Sequence, residues 1–167
     1  PELSPIDGNG EQFDSRASGS LQAMLDKMRE EGLSPVVCSG YRSRELQQTL
    51  FDNRVERCLD EGIAQEDAVE EASRYVAQPG TSEHELGLAA DIVSENYQLL
   101  VEEQENTAEQ QWLMEHCTEY GFILRYPKDK TDLTGVSYEP WHYRYVGKEA
   151  AQEIMTQGLC LEEYLKA

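Results

Sequence analysis

The sequence predicts an α+β fold, with helices packed on a small, mostly antiparallel sheet. Three observations lead there. Leu21, Met24, Leu25 and Met28 repeat at i, i+3, i+4 and i+7, the spacing of one buried helical face. Short apolar runs, Pro35–Cys38 and Leu88–Val93, are too brief for helices and sit beside glycine turns. No repeat, low-complexity tract or internal linker divides the 167 residues, so one domain is expected over 1–167.

Residues 1–17 combine Pro, Gly, Asp and Asn without a period, and an irregular N-terminal segment is expected. The first helix follows and stops near Gly32. Pro35–Cys38 reads as a buried strand, turned outward by Ser39-Gly40. A second helix is expected from Arg44 to about Glu61, with Leu46, Leu50, Val55 and Leu59 inward and Gly62 ending it. A third, more acidic helix runs from Gln65 to Ala77, before Pro79-Gly80. Leu88–Val93 is the next strand, and 94–106 is polar loop with some helix. Thr107 with Gln110 three residues on matches the reciprocal capping box. The helix it opens carries Trp112, Leu113, Cys117 and Tyr120 and stops at Gly121. Strands at Phe122–Tyr126 and Tyr138–Val146, then a closing helix from Lys148 to about Met155, complete the expectation.

Charge narrows the function classes. Fourteen basic against 33 acidic residues give a net charge of −19. Phosphate recognition needs a basic face, so nucleic acid is excluded as a partner. Anionic lipid is disfavoured for the same reason, and no 18-residue apolar run is present. Cys38, Cys58, Cys117 and Cys160 lie scattered without a C-x-x-C pair, which argues against a thiolate metal site. They read as small buried residues, with two disulfides as the alternative.

Chemistry concentrates in three stretches: Ser39-Gly40-Tyr41-Arg42-Ser43, Ser82-Glu83-His84-Glu85-Leu86-Gly87-Leu88-Ala89-Ala90-Asp91, and Glu139-Pro140-Trp141-His142. A catalytic zinc needs three protein ligands, an open position, and a carboxylate off the metal to move protons. His84, Asp91 and His142 supply the ligands, and Glu139 the carboxylate. Leu88 stands where the helical His-Glu-x-x-His device would carry its second histidine, so His84 and Asp91 do not sit one helical turn apart, but a glycine turn entering a strand can bring them together. Small Ala89 and Ala90 leave room beside the backbone. Each of these residues alone could be core or surface. His116 has no partner at ligand spacing and reads as structural. Arg42, just past a strand and a Ser-Gly turn, could grip a carboxylate or steady an oxyanion, or form an ordinary surface ion pair.

Ser82-x-His84-x-x-Gly87-x-Ala89-x-Asp91 together with Glu139-x-Trp141-His142 resembles the VanY-type D-alanyl-D-alanine carboxypeptidases, zinc peptidases that share a fold with lysostaphin-type enzymes and the hedgehog domain. Motifs from about residue 20 to 150 occur in the family's order. The resemblance implies a zinc site at the sheet, with Zn²⁺ on His84, Asp91 and His142. It implies Glu139 as general base and Arg42 as a catalytic residue stabilising charge on the scissile carbonyl. Gln47, Ser82 and Trp141 would contact substrate. The implied reaction removes the terminal D-alanine of a peptidoglycan stem peptide, with an L,D-carboxypeptidase, a D,D-dipeptidase or a non-catalytic wall-binding module as alternatives. It further implies a monomer outside the cell or facing its wall, with any membrane anchor outside this chain. The acidic stretch between Leu59 and Glu71 and the cysteines depart from the family pattern.

Overall fold

The computed structural model describes residues 1–166. Its elements are β1 (Leu3–Pro5), β2 (Gln12–Asp14), α1 (Ser18–Glu30), β3 (Pro35–Ser39), α2 (Arg44–Asp60), α3 (Gln65–Ser73), β4 (Ala89–Ser94), α4 (Ala108–His116), β5 (Phe122–Leu124), α5 (Thr131–Thr134), β6 (His142–Tyr145), α6 (Lys148–Thr156) and α7 (Leu161–Lys166). Four strands form an antiparallel sheet in the order β3-β4-β6-β5. The α+β expectation holds. All six residues of β4 are buried, as befits a strand with a neighbour on each edge and packing on both faces.

The main core lies where α1 meets this sheet. Leu21, Met24, Leu25 and Met28 are fully buried against Val37, Ala90, Ile92, Phe122 and Tyr143. Each such aliphatic side chain contributes about 1.5–3 kcal/mol on leaving water. A second cluster joins α2 to α3 through Phe51, Cys58, Ala68 and Ala72. A third packs Ala151, Ile154 and Leu161 of α6 and α7 on Ile123.

Several local expectations need correction. Residues 1–17 are not irregular throughout: β1 and β2 pair antiparallel, and Ile6 and Phe13 reach the main core. Two apolar residues, seven positions apart, are too few to set a period, so the hairpin was not legible. The buried side of α2 is Gln47, Phe51 and Cys58, whereas Leu46 and Leu59 are 46% and 41% exposed. Packing on α3 and on the site, not leucine content, sets that helix's rotation. α3 ends at Ser73, earlier than Ala77. β6 covers only His142–Tyr145, because Glu139 and Trp141 belong to the segment that lines a cleft. Expected Phe122–Tyr126 shortens to Phe122–Leu124, and α7 was not anticipated. All four cysteines are free, and three are buried as expected, while Cys38 is exposed.

The capping box at Thr107 forms only in part. Thr107 Oγ1 accepts from the Gln110 backbone N–H at 3.2 Å. The Gln110 side chain does not reach back. It is fully buried, donates to Ile92 O at 2.5 Å and accepts from the Tyr143 hydroxyl at 2.8 Å. It therefore ties α4 to β4 and β6 at the sheet's centre. Gln110→Leu strands the Tyr143 hydroxyl and the Ile92 carbonyl, which should cost about 1–3 kcal/mol for each group left unsatisfied. A urea unfolding midpoint equal to that of the parent protein would contradict this.

Candidate metal centre

Sheet register assembles the site. Asp91 of β4 stands opposite Ser39 on β3 and opposite His142 on β6. His84 comes from a one-turn 3-10 segment, Glu83–Leu86, which is capped by the Ser82 hydroxyl and ended by Gly87 in the left-handed region at φ 72°. A Cβ on Gly87 would also lie 3.0 Å from the Asp14 backbone N, so the tight return into β4 calls for glycine. One ligating atom from each of His84, Asp91 and His142 lies within 4.8 Å of the other two, and all three residues are buried.

Donor orientation completes the fit to a cation. His84 Nδ1 lies 2.8 Å from Gly40 O, which can only accept, so this nitrogen carries the proton and Nε2 is left bare. That Nε2 is 3.3 Å from Asp91 Oδ1. His142 Nε2 lies 3.0 Å from Glu83 Oε2, which turns Nδ1 toward Asp91 Oδ1 at 3.5 Å. Asp91 Oδ1 is itself buried without a hydrogen-bond partner. Three lone-pair atoms thus converge on one point, an arrangement that is unfavourable unless a cation occupies it.

The electrostatics agree. Burial opposes charge on both imidazoles, and it holds the His84 pKa down. At His142 the opposing burial is outweighed by hydrogen bonds with Glu139 and Glu83 and by the charges of Glu83 and Asp91, which raise it to about 10. Burial likewise opposes ionisation of Asp91, but His84, His142 and Arg42 overcome it and lower it to about 2. Without metal, the surplus negative field is therefore met by a proton on His142. Ligation requires the neutral imidazole, so a metal ion replaces that proton.

The remaining expected residues are placed as follows. Glu139 is buried, and its Oε1 lies 3.3 Å from His142 Nδ1, its one ion-pair partner among the described residues. Burial raises its pKa, which suits a group that takes and gives a proton. Arg42 donates to Ser39 Oγ at 2.8 Å, Gln47 Oε1 at 3.2 Å and Asp91 Oδ2 at 3.0 Å. Five guanidinium N–H groups minus these three leave one on each Nη. Ser82 and Trp141 line the cleft with Arg42 and the metal candidates, and its volume is about 530 Å³. Gln47 does not line it. It is fully buried, its side-chain oxygen accepts from Arg42 and its amide nitrogen donates to Ala77 O at 2.8 Å. His116 pairs with Glu119 on the surface, as its structural reading anticipated.

Glu83 was missed. It is buried, and its other oxygen accepts from Arg125 Nε at 2.8 Å and Arg144 Nη1 at 3.2 Å. Arg125 in turn makes a two-pronged pair with Glu162 of α7 at 2.8 and 2.9 Å. Nothing in the sequence separates Glu83 from the equally acidic Glu85 two positions on; only the three-dimensional path does.

A family model described as VanY: D-alanyl-D-alanine carboxypeptidase matches residues 10–148. The D-alanyl-D-alanine carboxypeptidase of Enterococcus faecalis is 50% identical over 157 residues, 94% of this chain and 57% of that protein. The chain spans about half the length of the curated relatives it matches. Among solved structures, VanYB in complex with D-alanine-D-alanine superposes with a TM-score of 0.90 at 49% identity, covering 99% of this chain and 88% of that one. A variant of the vancomycin-resistance D,D-pentapeptidase VanY in complex with Zn(II) gives 0.87 at 49% identity, covering 98% and 89%. Matched by the family model over residues 10–148 and half-identical over nearly its whole length to a curated relative, the chain belongs to the VanY D-alanyl-D-alanine carboxypeptidase family.

Proposed function

We propose that residues 1–167 form one zinc carboxypeptidase domain that hydrolyses the terminal D-Ala-D-Ala bond of peptidoglycan stem peptides and releases D-alanine. The observation that carries this reading is the convergence of His84 Nε2, Asp91 Oδ1 and His142 Nδ1 beside a buried carboxylate, Glu139, that pairs with no arginine among the described residues. The Zn(II) and D-alanine-D-alanine complexes of similar chains support the choice of metal and substrate. Held by these three side chains, Zn²⁺ supplies a Lewis acid that lowers the pKa of a water to about 7 and polarises a carbonyl.

The chain's own residues do the rest. Glu139, with its raised pKa, takes the proton of the attacking water and returns it to the leaving amine. The two unused Arg42 N–H groups are available to charge that develops on the scissile carbonyl oxygen. Ser82 offers a hydroxyl to the substrate's terminal carboxylate, and Trp141 forms a wall of the cleft. A site with donors waiting for that carboxylate rejects internal peptide bonds, because they leave the donors unpaired. The domain acts as a monomer on the wall side of the membrane.

The test is mass spectrometry of muropeptides before and after incubation. Loss of one D-alanine from pentapeptides, abolished by chelator and restored by Zn²⁺, is expected. Trimming of tetrapeptides instead would make it an L,D-carboxypeptidase, and cleavage of free D-Ala-D-Ala would make it a dipeptidase. Glu139→Ala should retain one zinc per chain yet lower kcat about 10²–10⁴-fold, whereas His142→Ala should lose zinc as well. An active Glu139→Ala protein would remove that residue from proton transfer. Glu83→Gln keeps the size of the His142 partner but removes its charge, and should weaken zinc binding about 10–100-fold. Unchanged affinity in a chelator competition titration would show that Glu83 serves the fold alone.

A further inference from the structure

The cleft extends away from the metal centre along α2. Leu50, Asn53, Arg54 and Arg57 line it, spaced as one helical face. The two arginines differ. Arg57 is largely exposed and paired with Glu61 at 3.2 Å. Arg54 has no ion pair among the described residues, although acidic residues outnumber basic ones by 33 to 14. Its Nε is buried without a hydrogen-bond partner. Its guanidinium carbon instead sits over the Tyr75 ring, 4.2 Å from the centroid. Stacking on an aromatic face fixes a guanidinium in place but leaves its charge unneutralised and its edge free. A charged, partly desolvated donor in a cleft wall, held in position but unpaired, is a site for an anion.

Its position selects which anion. Arg54 is seven residues beyond Gln47, the residue that accepts from Arg42, which places it about 10 Å further along α2 at 1.5 Å per residue. An extended peptide advances about 3.3–3.6 Å per residue, so a substrate laid along α2 from Arg42 reaches Arg54 about three residues from the scissile bond. On the carboxypeptidase reading, which this inference rests on, one residue alone lies on the leaving side. A group three residues away must then lie upstream.

We propose that Arg54, held by Tyr75, is a specificity residue that receives a carboxylate borne by the substrate about three residues upstream of the scissile bond, so that peptides with a free carboxylate there are preferred over amidated ones.

The test is calorimetric binding of two pentapeptides ending in D-Ala-D-Ala that differ only by carboxylate or carboxamide at that upstream residue. Zinc-loaded protein carrying Glu139→Ala leaves both peptides intact. A charge-assisted bond predicts about tenfold tighter binding of the carboxylate peptide. Adding Arg54→Gln should bring the ratio to about one, while Arg54→Lys should retain part of it. A ratio near one with Arg54 present overturns the proposal, and this arm needs no substitution at Arg54. So does a tenfold ratio that persists in a folded Arg54→Gln protein, with folding judged by its melting temperature. Turnover of the same peptides is followed separately with Glu139 intact. Turnover without a binding preference removes the role of Arg54 alone. A binding preference without turnover removes the proposed hydrolysis and leaves Arg54 in place.

Discussion

One carboxylate organises the molecule: Asp91, on a strand that has a hydrogen-bonded neighbour along each edge. Antiparallel register is discrete, and a slip of one residue turns every side chain to the opposite face. The pairings of Asp91 with Ser39 and with His142 therefore fix, in one stroke, the end of β3 from which Arg42 departs and the start of β6 that carries an imidazole. Arg42 then closes the circle by donating to Asp91 Oδ2. Burying an aspartate this deeply is costly unless it is paired. The Arg42 bond satisfies one oxygen and leaves Oδ1 waiting at the point where both histidines aim.

Around this centre the charges are sorted rather than merely abundant. Asp91 has Arg42, and Glu83 has Arg125 and Arg144. Glu139 is left with His142 alone. Guanidinium partners pin the two carboxylates that set geometry. The carboxylate proposed to carry the proton makes no guanidinium pair among the described residues, and burial raises its pKa. On the proposed mechanism, identical side-chain chemistry is thereby divided between scaffold and reagent by neighbours alone.

The sequence showed the centre more clearly than the frame around it. The metal and base candidates were legible because histidine is rare here and the order of the motifs is informative: three histidines in the chain, two of them beside the needed acids. The face of α1 was legible because its four apolar residues keep a helical period. The rotation of α2 was not, because Gln47 is buried for a hydrogen bond to Arg42 and Leu46 is left outside. The N-terminal hairpin escaped notice because only Ile6 and Phe13 anchor it, too few to set a pattern. Gln110 looked like half of a capping box, yet its side chain serves the sheet. In each case a long-range contact overruled a local rule.

The bond between Arg125 and Glu162 bears on where this domain can be cut. The stretch shared with the family stops at residue 148, but the chain of contacts from His142 through Glu83 and Arg125 continues to α7. A truncation that keeps every shared motif and drops the last two helices would leave Arg125 half-unpartnered and uncover Ile123. The folded unit is thus longer than its recognisable signature, and a fusion partner joined directly after α6 in place of α7 would loosen the His142 imidazole.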